Sequence, residues 1–384
     1  MHYVKRMYNN SNTSDTLKAL VKALYNYNLA AENYVGETSE KIASLVDFVV
    51  EAEEGREFRI LQITDTQIID PGQKSFAGRI EESEALTDEQ LYEDCFYYIE
   101  EAVKQANPDL ILLTGDIVYG EFDDNGTSLQ KLVAYMESLN IPWAPIFGNH
   151  ENESIKGVTW QCQQFEEAEN CLFKRGDMTG NSNYTIGIQQ GDKLIKVIYM
   201  MDTNGCWNAQ SYSYMPEFGE YNQEEKVQIT PGLGVDVIEW LDATSTEIAN
   251  TLGYAPSKFA AFHIPITEFT AAAIAKGYKT GDETSFIIND PTGEDFGIQN
   301  SESPRIATAN LWSIMKRQNF DGVFVGHEHS NNTSIVFEGI RLTFGLKTGV
   351  YDSYEEDMLG GTLITVAEGG TDFAVEHCYV EPLN

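Results

Sequence analysis

The chain predicts an α/β protein with a site at the carboxyl edge of its sheet. Three observations carry that prediction. Strand-like and helix-like stretches alternate from residue 58 onward. The strand-like runs are almost wholly apolar, as expected where both faces of a sheet are buried. Run after run then stops at an Asp, an Asn or a His, the position from which strand-end loops of α/β folds deliver functional side chains.

In order, Phe58 to Thr64 reads as a strand ending at Asp65, followed by a polar loop over residues 70–85. Thr87 to Gln105 reads as a helix with Leu91, Phe96, Ile99 and Val103 inward. Asp109 to Thr114 is a second strand and ends in Gly115-Asp116; Ser128 to Leu139 is the next helix. Trp143 to Phe147 is a third strand and ends in Gly148-Asn149-His150-Glu151. Ile195 to Met201 is a strand ending at Asp202, where Asn204-Gly205 points to a turn. Trp207 to Ile229 is a long Tyr- and Glu-rich loop, of the length and composition that often walls a site. Its Trp207, Tyr212, Tyr214 and Tyr221 either face an organic group or pack locally. Gly234 to Asn250 is a helix, Lys258 to Phe262 a strand ending at His263, and residues 276–304 a Gly-, Asp- and Thr-rich insertion. Thr308 to Arg317 is a helix leading into Gly322 to Val325, a strand that ends in Gly326-His327-Glu328-His329. Asn331 and Asn332 follow, either to touch a ligand or to make the turn. Ser334–Phe337, Ile340–Gly345, Gly361–Val366 and Asp372–Tyr379 read as antiparallel strands closing a second sheet.

Residues 1–54 differ from this pattern. Thr16 to Tyr25 has apolar residues at helical spacing behind the N-caps Ser14 and Asp15, and a second helix is expected around Ser39–Glu51. The segment reads as a helical leader or the tail of a preceding module, with the main domain at residues 56–384.

Sixty acidic against 25 basic residues give a net charge of −35, which argues against nucleic acid or an anionic membrane as partner. No run of 18 or more apolar residues is present, so no transmembrane helix is expected, and the N-terminus lacks the apolar core of a signal peptide. The acidity favours an extracellular or cell-surface location, with an export signal outside this chain. The sequence gives no reading of oligomeric state. Five cysteines, without a C-x-x-C pair, exclude a disulfide scaffold. Cys162 and Cys171 are either one bridge or two buried thiols, the second being favoured.

The strand-end residues Asp65, Asp116, Asn149, His263, His327 and His329 are carboxylate, amide and imidazole, without a thiolate. That mix suits iron, zinc or manganese. A bridging carboxylate can hold two ions about 3.5–4 Å apart, where they polarise a phosphoryl group and generate hydroxide near neutral pH. Of six histidines, His150, His263, His327 and His329 fall at strand ends, which makes coincidence a poor account of them. His2 and His377 carry no such signal.

Asp65-Thr66-Gln67, Gly115-Asp116, Gly148-Asn149-His150-Glu151, His263 and Gly326-His327-Glu328-His329 resemble the five ordered motifs of the calcineurin-like metallophosphoesterases. The similarity is greatest to the purple acid phosphatase-like branch, and continues through Cys171-Leu172-Phe173, Asn183-Tyr184, Phe262 to Pro265 and Gly345 to Gly349. The resemblance implies an α/β (α+β) fold of two β-sheets in a sandwich flanked by helices, with two metal ions at one edge. By position, Asp116 would bridge them. Asn149, His263 and His327 would hold one ion, and Asp65 and His329 the other. His150 would contact the phosphate and protonate the leaving oxygen. One departure stands out: Gln67 occupies a place where most of the superfamily has a histidine. Purple acid phosphatases lack that histidine too and use a tyrosine three residues after the bridging aspartate, a spacing that Tyr119 matches. Either Tyr119 supplies a phenolate ligand, or it is a packing aromatic and Gln67 is the ligand or hydrogen-bonds behind it. The resemblance therefore implies a dinuclear metal-dependent phosphoesterase acting by metal-bound hydroxide on small phosphomonoesters, with phosphodiesters second. The alternative is a domain that Gln67 has impaired, a metal- or ligand-binding module of a larger surface protein.

Overall fold

The computed structural model describes residues 39–73, 85–119, 126–151, 156–205, 231–281, 284–300 and 310–383, with Ser154, Arg305, Ile306 and Thr308. The helix expected over Thr16–Tyr25, the whole Tyr-rich stretch from Trp207 to Ile229 with its four aromatics, His2 and Cys206 lie outside the described residues.

β-Branched and aromatic runs form the strands. They are β1 (Phe48–Ala52), β2 (Phe58–Ile63), β3 (Leu110–Thr114), β4 (Trp143–Ile146), β5 (Tyr184–Gln190), β6 (Lys193–Met200), β7 (Ser257–Ala261), β8 (Phe286–Ile287), β9 (Ile298–Gln299), β10 (Phe320–Val325), β11 (Ser334–Phe337), β12 (Ile340–Phe344), β13 (Gly360–Val366) and β14 (Phe373–Tyr379). Seven of them form one sheet in the order β1-β5-β6-β7-β10-β12-β11, and five another in the order β14-β13-β2-β3-β4; β8 and β9 make a small hairpin. In the five-stranded sheet β2, β3 and β4 run parallel. In the other, β6, β7, β10 and β12 run parallel. Each sheet also carries antiparallel strands, β13 and β14 in one and β5 and β11 as partners of β6 and β12 in the other. This is a mixed α/β sandwich with helices outside, as expected.

The helices are α1 (Asp88–Ala106), α2 (Thr127–Ser138), α3 (Gly157–Glu166), α4 (Val235–Leu252), α5 (Thr267–Lys276) and α6 (Leu311–Arg317). α1 begins where Thr87 and Gln90 form a reciprocal capping box and stops where Asn107 turns left-handed at φ 43°. Its buried stripe is Leu91, Cys95, Tyr98, Ile99, Ala102 and Ala106, laid against β2 and β13. Phe96 and Val103, expected inward, are only half-buried, because the stripe runs one residue to the side of them. None of the described helices is long and apolar enough to cross a membrane.

Two expectations are corrected. The four C-terminal runs do not close one second sheet together: β11 and β12 extend the seven-stranded sheet, β12 lying parallel to β10, whereas β13 and β14 join β2 in the five-stranded one, because each pair finds a different open edge. The helix foreseen over Ser39–Glu51 is helical only at residues 39–43. Phe48-Val49-Val50 instead pairs in parallel with Ile186 to Ile188 of β5, because a β-branched run at an open sheet edge gains more from the ladder than from a helix. The seven-stranded sheet therefore begins before residue 56. Cys162 and Cys171 are separate buried thiols, the alternative favoured from the sequence; Cys171 forms an isolated bridge with Trp143. The strand β5 and helix α5 were not expected from the sequence.

The sheets share one hydrophobic core, pinned near its polar edge by Gln62 of β2. Its buried Nε2 donates to Thr114 Oγ1 (2.9 Å) in the same sheet and to the Val325 carbonyl (3.0 Å) in the other. His377 on β14 is a second buried polar node. Its Nε2 donates to the Asn332 carbonyl (2.7 Å), so its Nδ1 accepts from Thr362 Oγ1 (3.0 Å). Burial pushes this imidazole from 6.5 down to about 4, against the Asn332 carbonyl, which favours the charged ring. The folded protein keeps His377 neutral where the unfolded chain binds a proton. The stabilisation is thus complete above about pH 6.5 and is lost as pH falls toward 4, by up to about 3 kcal/mol. Urea unfolding across pH 4–7 should show a steeper acid loss in the wild type than in His377→Gln; parallel curves would contradict this account.

Candidate metal centre

Five loops meet at the carboxyl ends of the two sheets. β2 leads to Asp65 and Gln67, β3 to Asp116 and Tyr119, and β4 to Asn149 and His150. From the facing sheet β7 leads to His263, and β10 to His327 and His329. The chain reverses so sharply here that Asp65 (φ 50°), Gln67 (φ 36°), Asp116 (φ 48°) and His327 (φ 75°) are all left-handed. That conformation costs free energy in non-glycine residues, though least in Asp, Asn and His, and strain of this kind concentrates at functional sites. Gly148 and Gly326 allow the closest approaches. A Cβ on Gly148 would lie 2.2 Å from Asp116 Oδ1, and one on Gly326 would lie 2.0 Å from Thr64 Oγ1 and 2.5 Å from Asp65 Oδ2.

The best-defined part is the set Asp116, His263 and His327, whose ligand atoms all lie within 4.8 Å of one another. The His263 ring is fully buried. Its Nδ1 sits 2.8 Å from the Thr114 carbonyl, which can only accept, so the proton is on Nδ1. Nε2 then faces Asp116 Oδ2, 3.0 Å away. With both ring nitrogens protonated the two form an ion pair, and a metal ion would take the place of the Nε2 proton. The buried Asn149 Oδ1 meets no donor among the described residues. These atoms fit a metal ion of the kind that takes mixed O and N ligands. His327 is anchored through its backbone N–H, which donates to Asp65 Oδ2 (3.0 Å).

The second cluster is smaller. His329 Nδ1 lies 2.5 Å from the Ser353 carbonyl, which by the same argument turns the Nε2 lone pair toward Asp65 Oδ1 at 3.3 Å. Thr64 Oγ1 steadies the other carboxylate oxygen of Asp65 at 2.7 Å. Gln67 does not join these two atoms. Its side-chain oxygen accepts from the buried Lys347 Nζ, and its backbone N–H donates to the Asp116 carbonyl (2.9 Å). Tyr119 packs with Ile69 and Leu91, and its ring lies almost parallel to that of His150, with centroids 6.2 Å apart.

Electrostatics agree with a cation. Burial works against ionised Asp65 and Asp116, but His263 and the neighbouring imidazoles outweigh it and hold both carboxyls well below the usual range. Burial likewise opposes a charged His263, yet Asp116 and Asp65 hold it up at about 9, while burial and His263 push His327 down to about 3. The two carboxylates thus draw positive charge onto the nitrogen between them.

His150 is partly exposed, as are His327 and His329. Its backbone N–H donates to Asp116 Oδ1 (2.9 Å), and its Nε2 is 3.9 Å from Asp116 Oδ2, at the open side of the cluster.

Three supporting residues had no role in the sequence reading. Glu151 is completely buried and accepts the backbone N–H groups of Gly148 (2.5 Å), Ile117 and Asp116 (3.3 Å), which ties the β3 and β4 loops together. Burial and the Asp116 charge push its carboxyl up to about 7, although the Ile117 and Gly148 N–H groups pull it down. Its place in the Gly-Asn-His-Glu run was the available signal. Arg305 pairs with Glu328, between the two histidines, at 2.5 Å, and Asn331 donates to the same carboxylate at 3.2 Å. Lys347 carries no motif signal; only the tertiary structure brings it to Gln67. Asn331 and Asn332 accept the Asn300 and Ile298 N–H groups and so brace the loop. Asp202 makes a turn, accepting from Asn181 and Asn204.

Comparison with known proteins gives a consistent family. A sequence model described as Calcineurin-like phosphoesterase matches residues 58–331. The chain is 23% identical over 66% of its length to "Probable inactive purple acid phosphatase 14" of Arabidopsis thaliana, covering 62% of that protein. It is 25% identical over 73% of its length to "Phosphatase DCR2" of Saccharomyces cerevisiae, covering 45% of it. The chain thus spans about half to two thirds of the length of these relatives. Among solved structures, a "dimetal phosphatase" from Danio rerio shares 13% identity at a TM-score of 0.44, covering 84% of this chain and 99% of that one.

Glu151→Ala leaves three buried N–H groups without their acceptor. Unfolding in chelator should show a loss on the order of 3 kcal/mol. A change under 0.5 kcal/mol, on the ordinary scale of surface substitutions, would refute the tie between the loops.

Proposed function

Because this chain belongs to the calcineurin-like phosphoesterase family, we propose that it is a metal-dependent hydrolase of small phosphoric esters, phosphomonoesters first and phosphodiesters second. The observation that carries this reading is the buried His263 Nε2, held 3.0 Å from Asp116 Oδ2 with His327 beside them, a set in which a metal ion would replace the imidazole proton. In this proposal Asp116, Asn149, His263 and His327 hold one metal ion, and Asp65 and His329, with Asp116 shared, hold a second. Iron, zinc and manganese all suit these donors. Bound metal supplies Lewis-acid polarisation of the phosphoryl group and an acidified water.

The chain's own residues do the rest. Asp116 and Asp65 neutralise the cationic centre and fix its position against the loops. Backbone contact with Asp116 Oδ1 holds His150 at the open side, where its ring faces an entering ester. There it orients a phosphoryl oxygen and delivers a proton to the departing alkoxide. Burial of Asp65, Asp116, Asn149 and His263 limits the access of bulk water to the metal positions.

A second reading is favoured by Lys347, which takes the Gln67 oxygen: a domain with an impaired centre that binds metal or ligand without turnover. The name of the Arabidopsis relative fits that reading, and that of the yeast relative fits the first.

Turnover of an aryl phosphate by protein loaded with iron, zinc or manganese separates the two. Asp116→Ala should lose both metal and turnover. His150→Ala should retain metal content while turnover falls by about 10²-fold or more, the scale of a lost general acid. Absence of turnover with every metal, at full metal content, would sink the hydrolase reading. Normal turnover per bound metal in His150→Ala would remove His150 from the proton-delivery role.

A further inference from the structure

The two halves of the centre are unequally supplied, and the cause lies in a residue far away in sequence. Lys347 follows β12 and enters the fold between Thr64 and Leu359, with which it forms isolated parallel bridges. Its side chain is buried and turned toward the base of the Asp65–Gln67 loop. Nζ donates to the Asp65 carbonyl (3.0 Å) and to the Gln67 side-chain oxygen. The backbone on either side is fixed as well: Gly360 N–H donates to the Lys347 carbonyl (3.0 Å), and Gly349 N–H donates to the Asp65 carbonyl (3.1 Å). The amine therefore cannot swing away without breaking a buried network, and an unsatisfied buried donor costs about 1–3 kcal/mol.

An amide oxygen committed to an amine is a poor metal ligand. Gln67 stands two residues after Asp65 on the β2 loop, and the bond to Lys347 occupies its side-chain oxygen. On the other side Asp116, His263 and His327 bring their ligand atoms within 4.8 Å of one another, and Asn149 Oδ1 has no competing donor among the described residues. With Asn149 the proposed set there numbers four, against Asp65, His329 and a share of Asp116 on the His329 side. We propose that Lys347 is a positioning residue that withholds Gln67 from the centre, so that the His263 position binds its metal ion much more tightly than the His329 position. This rests on the metal-binding part of the proposed function, and it makes the protein selective for one resident ion, with a second that exchanges with the medium.

Calorimetric titration of chelator-stripped protein with Mn²⁺, and separately with Zn²⁺, tests this directly. The expected result is one tight equivalent per chain and a second at least 100-fold weaker. Metal content after gel filtration should be about one ion per chain. Two equivalents within tenfold of each other would overturn the proposal and leave the hydrolase reading standing. A visible charge-transfer band after loading with iron would also overturn it, since a phenolate from Tyr119 would then complete the His329 side. No binding at all would overturn both. Lys347→Met, which keeps the length of the side chain and removes the donor, should tighten the second equivalent at least tenfold while changing the first less than threefold. Should that variant fail to fold, the wild-type stoichiometry still decides.

Discussion

The contact between Asp116 and His263 is the constraint on which the rest of the centre depends. Each comes from a different sheet, and each is completely buried. The Thr114 carbonyl takes the Nδ1 proton, and this turns Nε2 onto a carboxylate 3.0 Å away. That carboxylate demands positive charge beside it, a proton or a metal ion, in a medium that strengthens the attraction. Everything around it serves to keep that geometry from relaxing. Gln62 pins the two sheets a few residues below, and Gly148 and Gly326 let the backbones come within reach. The left-handed turns at Asp65, Asp116 and His327 are strained conformations that the surrounding network holds in place.

Glu151 shows how such strain is held. One carboxylate collects three N–H groups from two loops, where a backbone unaided would leave them without partners. The Glu328–Arg305 pair does the corresponding work between His327 and His329. Buried charge of this kind contributes little net stability against a well-packed apolar substitute, but it gives the ligand loops one geometry. The stiffness of the centre thus comes from residues that would touch neither metal nor ester.

Gln67 illustrates the opposite outcome. On sequence it competes with Tyr119 for a ligand position. In the fold its oxygen meets Lys347, and Tyr119 lies against His150. In the proposed centre the asymmetry between the two sides of Gly326-His327-Glu328-His329 would follow from that one hydrogen bond and from the Asn149 oxygen, which meets no donor among the described residues.

The sequence by itself determined the parallel strands and the ends at which they stop, because a strand buried on both faces must be apolar and its exit loop must be polar. β2, β3, β4, β7 and β10, and with them Asp65, Asp116, Asn149, His263, His327 and His329, were legible for that reason. Local pattern could not show β1, since Phe48-Val49-Val50 becomes a strand only beside β5. Nor could it show that Asn331 and Asn332 brace a loop, or that Glu151 ties two others. Those outcomes are hydrogen bonds between distant parts of the chain, and a side chain with both donor and acceptor options takes its role from the partner the fold brings to it. Lys347 and Gln67 lie 280 residues apart. Their meeting, on which the proposed supply of ligands turns, was for the tertiary structure alone to decide.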